Sequence, residues 1–246
     1  YQYVSGNAGI HFDLDTIRRL NELNLCIDID SGEVPALDGS SEPFLKMIEQ
    51  AGLMRQNKAR RYIEVLKEVS IEDGGARAKI IPSRTLRLDV TIDFDEQIIG
   101  RQRIVIEPDV RAFRDRIASA RTFARAHEVV ALREAGLSLG GSYENAIVVD
   151  GDKVLNPEGL RYNDEFVRHK ALDLLGDMYV AGPLLGHVET VRAGHGVNHK
   201  LLLALFADPK AWKFSHLADT SHVFQSASPL GTAKPVSVLE ESAPSL

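Results

Sequence analysis

Short strand-like runs between residues 62 and 106 constrain the fold of this chain most. Each run has the length and apolar pattern of a β-strand. The runs Ala78–Pro82 and Leu86–Phe94 are separated only by Ser83–Thr85, which predicts a hairpin. Tyr62–Val69 and Arg103–Ile106 are further predicted strands. Hairpins in place of strict βαβ alternation predict a mainly antiparallel sheet.

Helical patterns occur before, between and after the strands. The predicted helices are Glu42–Gly52, Val110–Ile117, Phe123–Ala135, Asn163–Ala181 and Val197–Phe206. Further strands are predicted at Leu25–Ile29, Ala146–Val149 and Val188–Arg192. This mixed order predicts an α+β fold built as two-layer sandwiches, with helices packed on a mainly antiparallel sheet.

Composition limits the classes of function. The 246 residues are 44% hydrophobic and 26% charged, an ordinary globular balance. No apolar run approaches the roughly 18 residues that span a bilayer, and the start lacks signal-peptide character. The single cysteine, Cys26, predicts a buried strand residue in a reducing, cytoplasmic compartment. A net charge of −6 argues against nucleic-acid binding, although a few local cations can still bind a diphosphate.

One predicted helix carries three polar side chains with metal-binding or acid–base chemistry. His169, Asp173 and Asp177 are four residues apart, so they lie on one helical face. Imidazole and carboxylate groups are both zinc ligands. The same pattern is also typical of a solvated stripe with an ion pair. His169 and Asp173 alone are too few, because a catalytic zinc site usually has three protein ligands.

Two other residues have a chemical and a structural interpretation each. His195 lies between glycines at a predicted strand-to-helix junction, where it could act as a general acid or as a capping or packing residue. Thr122 could cap the helix predicted to follow it, or its hydroxyl could donate to an oxyanion. The residues alone do not decide between these alternatives.

Taken together and in order, six segments resemble the zinc-dependent UDP-3-O-acyl-N-acetylglucosamine deacetylases of lipid A biosynthesis in Gram-negative bacteria. The segments are Glu33–Phe44, Ala120–Phe123, Gly136–Ser142, Leu155–Arg161, Val167–Asp173 and Ala193–His195. The resemblance runs from about Leu25 to Trp212. Several motifs in one order are more specific than any one of them.

The resemblance implies a role for each chemical residue. His169 and Asp173 would bind Zn²⁺ as cofactor. His195 would protonate the leaving amine, oriented and tuned by Asp177. Thr122 would stabilise the tetrahedral oxyanion. Together these groups would remove the N-acetyl group by metal-dependent amide hydrolysis.

The resemblance also implies the substrate contacts. Lys170 would lie beside the site, and Asp93, Phe94 and Arg192 would approach the UDP or sugar part of UDP-3-O-acyl-N-acetylglucosamine. The glycine-rich insert 140–161 would line the passage for the acyl chain. We expect a monomer without nucleic-acid partners or a transmembrane segment.

The first domain departs from the family pattern. The family has an adjacent Glu-His pair, the general base and third zinc ligand, where Thr16–Leu20 places Arg18 and Arg19. An ungapped comparison places His11 and Phe12 there instead. The chain is therefore predicted to be either a deacetylase lacking the N-terminal part of its first domain or a diverged, non-catalytic relative that binds a nucleotide-sugar lipid.

The predicted organisation follows from these comparisons along the chain. Residues 1–56 form a partial first domain, and residues 57–219 form a complete second domain with an inserted β-rich segment. Residues 220–246, where Ser, Pro and Ala dominate, form a loose tail.

Overall fold

The computed structural model describes residues 34–51, 59–129 and 141–216. In chain order the elements are α1 (Glu42–Ala51), β1 (Arg61–Val65), β2 (Val69–Asp73), β3 (Ala76–Ile81), β4 (Leu86–Asp93), β5 (Arg101–Ile106), α2 (Val110–Arg116), β6 (Phe123–Arg125), β7 (Ile147–Asp150), β8 (Lys153–Val154), α3 (Glu165–Tyr179), β9 (Leu184–Val191), α4 (His195–Ala207) and β10 (Trp212–His216).

Strand β9 is the centre of a seven-stranded sheet. The later part of β9, up to Val191, lies between β3, which runs antiparallel to it, and β4, which runs parallel to it. At the start of β9, Leu184 and Leu185 pair with β1 in parallel. The pairs β1–β10, β2–β3 and β4–β5 are antiparallel. Antiparallel pairing thus predominates among the described strands of this sheet, and the predicted α+β class is confirmed.

Helices α3 and α4 pack on the sheet and on each other. Their shared core includes Ile80, Leu88 and Val188 from the sheet and Phe166, Leu174 and Leu201 from the helices, each at most 1% exposed. Full burial of such a side chain contributes about 1.5–3 kcal/mol. This packing fixes the polar face of α3 against the start of α4.

The predicted hairpin between the third and fourth strands is wrong. Strands β3 and β4 both pair with β9, which lies between them. The tight hairpin instead joins β2 to β3 through Gly74 and Gly75, whose φ values of 57° and 82° suit a two-residue turn. Glycine adopts this left-handed backbone without steric cost, whereas Ser83–Thr85 offers no such residue.

The predicted helix Phe123–Ala135 is wrong at its start. Residues Phe123–Arg125 form β6, parallel to β7. The backbone becomes helical only at residue 126 and stays so to residue 129, where this described range ends. The Thr122 carbonyl accepts a hydrogen bond from Ile147 N at 2.8 Å, so the chain here is extended. Thr122 is therefore not a helix cap.

A small sheet of β6, β7 and β8 is built from the insert and the segment before it. The turn at Gly151, with φ of 54°, joins β7 to β8. The buried Asn156 side chain accepts from Val148 N and donates to the Tyr143 and Ala146 carbonyls. These bonds brace the loop beside the sheet.

Some predictions fall on residues that the structure does not describe. Leu25–Ile29 with Cys26, Arg18 and Arg19, and the tail 220–246 lie outside the described ranges. The domain bounds stay a prediction. Among the described residues, no helix is long and apolar enough to cross a membrane.

Candidate active site

The first turn of α4 meets one face of α3. His195 Nδ1 lies 2.9 Å from Asp177 Oδ2, and His195 Nε2 lies 4.0 Å from Asp173 Oδ2. One turn before Asp173 on α3, His169 Nε2 lies 3.2 Å from Asp173 Oδ1. The structure therefore brings His195, from the start of α4, to the face of α3 that carries His169, Asp173 and Asp177.

The hydrogen bonds of His169 define its tautomer. Its Nδ1 lies 3.0 Å from the Ala120 carbonyl oxygen. Because a carbonyl only accepts, Nδ1 must carry a hydrogen, and the lone pair of the neutral ring is on Nε2. Nε2 faces the Asp173 carboxylate, so the place between them is filled either by a proton on Nε2, which makes the ring an imidazolium, or by a metal ion. His169 and Asp173 thus fit a divalent cation such as zinc as two of its ligands.

Asp173 is held in its ionised form. Its burial would raise its pKa, but the charges of His169, Lys170 and His195 outweigh this effect and hold the pKa well below the usual range. Lys170 Nζ donates to Asp173 Oδ2 at 2.8 Å. A buried carboxylate with cationic neighbours on several sides is a strong acceptor and a ready metal ligand.

His195 is set up to carry a proton. Its hydrogen bond to Asp177 raises its pKa, partial burial opposes this, and the charges of Asp173 and Asp177 add to the increase. Asn198 Nδ2 donates to Asp177 Oδ2 at 2.8 Å and orients that carboxylate. With Nδ1 bound to Asp177, the proton on Nε2 is the one available for transfer.

A cavity of about 230 Å³ adjoins this cluster. Its lining residues are Ile92, Asp93, Phe94, Asp95, Arg125, Lys170, Arg192 and Ala193. All four predicted substrate contacts, Asp93, Phe94, Lys170 and Arg192, are among them. Two of its three cations also pair with carboxylates beyond the lining, Lys170 with Asp173 and Arg125 with Glu96, but a cationic lining still suits an anionic ligand such as a diphosphate. Lys170 belongs to both the cavity and the Asp173 cluster.

Arg192 enters the cavity from a strained backbone. Its φ is 55°, a left-handed conformation that costs a non-glycine residue about 1–3 kcal/mol. Its main-chain N–H donates to the Thr91 carbonyl at 2.9 Å, which holds this conformation. Strain of this kind is typical of functional sites, because it directs one side chain at the expense of stability.

Thr122 lies two residues after Ala120, and its main chain is fixed from both sides. Thr122 N donates to the Gly39 carbonyl at 2.8 Å, and its own carbonyl accepts from Ile147 N. Within the described ranges, no hydrogen bond of the Thr122 hydroxyl is found. The Asp38 carboxylate pairs with Arg161 at 2.8 Å, which fastens the Gly39 turn to the insert.

Arg121 and Glu165 form a buried ion pair that the sequence interpretation missed. Arg121 stands within the Ala120–Phe123 motif, next to Thr122. A single charged residue in a short motif that is otherwise uncharged is the signal that could have found it, because buried charges need a partner. Arg125 was missed in the same way, although it lines the cavity and pairs with Glu96 at 3.5 Å.

Within residues 34–51, 59–129 and 141–216, no group of three or more His, Cys, Asp or Glu side chains could hold a metal ion. Thr16–Leu20 and His11 lie outside these ranges. The described residues therefore supply a pair of ligands and no third one.

Comparisons with known proteins give one consistent result. The family model "LpxC: UDP-3-O-acyl N-acetylglycosamine deacetylase" matches residues 14–207. A UDP-3-O-acyl-N-acetylglucosamine deacetylase of Phenylobacterium zucineum is 49% identical over 197 residues, covering 80% of this chain and 67% of the relative. Proteins of the same name from Pasteurella multocida and Syntrophotalea carbinolica are 41% and 44% identical, over 88% and 77% of this chain. The chain spans 70% and 62% of those two relatives.

Proposed function

This chain belongs to the UDP-3-O-acyl N-acetylglycosamine deacetylase family, and we propose that it acts in the hydrolytic removal of the N-acetyl group from UDP-3-O-acyl-N-acetylglucosamine. The observation that carries the proposal is the meeting of His169, Asp173, His195 and Asp177 beside a cavity lined by cations. These are the groups that metal-assisted amide hydrolysis of an anionic substrate requires.

His169 and Asp173 would hold a zinc ion, and a complete site needs at least one further protein ligand from outside the described residues. When bound, zinc polarises the amide carbonyl and lowers the pKa of a ligated water to about 7. The His169 Nδ1 bond to the Ala120 carbonyl supports this assignment, since it leaves Nε2 free to coordinate.

His195 would deliver the proton that the leaving amine needs. When the carbon–nitrogen bond breaks, the nitrogen takes up the proton of His195 Nε2, while Nδ1–H stays bound to Asp177. Before transfer, the imidazolium charge favours the negative charge that develops on the carbonyl oxygen. The Thr122 hydroxyl would donate to the same oxygen.

The cavity would bind the UDP part of the substrate. Lys170 and Arg192 would bind the diphosphate, and Phe94 and Asp93 would contact the sugar or uridine. Because Lys170 also contacts Asp173, a diphosphate bound there would place the attached sugar next to the reacting groups. A monomer in the cytoplasm is the assembly and compartment we propose for this reaction.

The test is deacetylation of UDP-3-O-acyl-N-acetylglucosamine by the full chain supplied with zinc, followed by mass spectrometry. His195→Ala should lower kcat by about 10²–10⁴ with little change in KM, because it removes contributions made mainly in the transition state. His199→Ala on the exposed side of the same helix is the matched control and should leave kcat unchanged. Binding of the substrate without turnover would favour a non-catalytic relative, and absence of binding would reject both.

A further inference from the structure

A buried ion pair lies directly behind the candidate active site. The side chains of Arg121 and Glu165 are 2% and 0% exposed. Arg121 Nε donates to Glu165 Oε1 at 2.9 Å, and Nη2 donates to Oε2 at 3.2 Å. The main-chain N–H groups of Arg121 and Arg161 donate to the same carboxylate, at 3.1 and 2.5 Å. The Glu165 carboxylate thus accepts four hydrogen bonds, which is its full capacity.

The Arg121 guanidinium makes two further hydrogen bonds. Nη1 donates to Glu158 Oε1 at 2.6 Å, and Nη2 donates to the Gly159 carbonyl at 2.7 Å. Arg121 therefore joins three parts of the chain: its own segment, the end of the insert and the start of α3. Four directed hydrogen bonds from one side chain leave little freedom for any of these parts.

Stability alone does not explain such a pair. Replacing a buried ion pair with apolar residues of similar volume is often neutral or stabilising, because both charges lose their hydration on burial. What directed hydrogen bonds add is a defined orientation of the groups they join.

Both residues of the pair are linked to His169 by a short stretch of chain. The Ala120 carbonyl, one residue before Arg121, lies 3.0 Å from His169 Nδ1. Glu165 is the first residue of α3 and lies four residues before His169, on the same helical face. The pair therefore fastens the carbonyl to the very helix that carries the imidazole.

We propose that Arg121 and Glu165 are positioning residues that hold the Ala120 carbonyl against His169, and so keep this imidazole in the Nδ1–H form with Nε2 directed at a metal. The proposal rests on the zinc site proposed above. Without the pair, the carbonyl can turn away and the ring can exchange tautomers. Losing an outer hydrogen bond of this kind typically weakens metal binding about 10–100-fold.

The test uses the full chain and two readouts. Nitrogen-15 shifts of the metal-free protein at alkaline pH report the tautomer of His169, and competition with a chromophoric chelator reports zinc affinity. The double variant Arg121→Met/Glu165→Leu removes both charges without leaving one unpaired, and Glu165→Gln keeps the side-chain shape. Arg103→Met is the control, because it breaks an ion pair with Asp89 that has no hydrogen bond to this segment.

We expect the double variant to keep its circular dichroism spectrum, to mix the two tautomers of His169, and to bind zinc about 10–100-fold more weakly. Glu165→Gln should shift both readouts in the same direction, so the test survives if the double variant does not fold. Unchanged tautomer and zinc affinity in either folded variant would overturn the proposal. If the unaltered chain bound no zinc while the variants still changed the tautomer, the proposed zinc function would fail and the positioning role would stand.

Discussion

Gly39 lies in a left-handed conformation, with φ of 78°, against the main chain of the insert. A Cβ atom added there would lie 2.0 Å from the Asn145 carbonyl oxygen and 3.3 Å from Thr122 Cγ2. Gly74 is a matched control, because its φ is 57° but no described atom lies within 4 Å of its added Cβ. Replacing either glycine with alanine introduces similar backbone strain, yet only Gly39→Ala forces a neighbouring main chain to move.

The two costs can be separated. Left-handed alanine costs about 1 kcal/mol at both positions. At Gly39, moving the Asn145 main chain also disturbs the hydrogen bond from Thr122 N to the Gly39 carbonyl and the ion pair of Asp38 with Arg161. Hydrogen bonds contribute about 0.5–1.5 kcal/mol each, so we expect a further loss of about 2 kcal/mol. For a chain of this size that corresponds to about 4–8 °C in Tm.

Urea unfolding and thermal unfolding of both variants measure the difference directly. The Gly39→Ala variant should also lose deacetylase activity, because the displaced turn carries Thr122 with it, whereas Gly74→Ala should keep the activity of the unaltered chain. Equal losses of stability in the two variants would refute the close contact of the Gly39 turn with the insert. Equal activities would refute its role in placing Thr122.

Three further outcomes are expected. Leu174→Ala should cost about 2–5 kcal/mol by urea unfolding, because Leu174 is 1% exposed, whereas Leu203→Ala, at 57% exposed, should stay within about 0.5 kcal/mol. Asp177→Asn should lower the pKa of His195, measured by NMR titration. Because this pKa is raised, protonated His195 stabilises the folded chain at pH values below the unfolded pKa of about 6.5, and this contribution to stability is lost as the pH rises through the folded pKa. The Asp177→Asn variant should therefore lose more stability at mildly acidic than at alkaline pH. Arg192→Ala should weaken UDP binding about 10–100-fold by calorimetry, and less so at high salt.

Sequence spacing predicted the helices and helix faces that depend only on neighbouring residues. Helix α3 lies within the predicted span Asn163–Ala181, and α2 begins at Val110 as predicted. The common face of His169 and Asp173 follows from 3.6 residues per turn, so it needs no knowledge of the rest of the chain. The glycines that flank His195 likewise mark a local junction between a strand and a helix.

Contacts between distant residues depended on the tertiary structure. Strand β9 separates β3 from β4, although the sequence between these two strands predicts a hairpin. Arg121 meets Glu165 across 44 residues, and His195 meets Asp177 across 18. Such contacts form because burying the apolar faces of the sheet and helices brings these segments together, and no local pattern encodes which partner a strand or a buried charge will find. Spacing along one helix therefore predicted which residues can do chemistry, and packing decided which of them face one another.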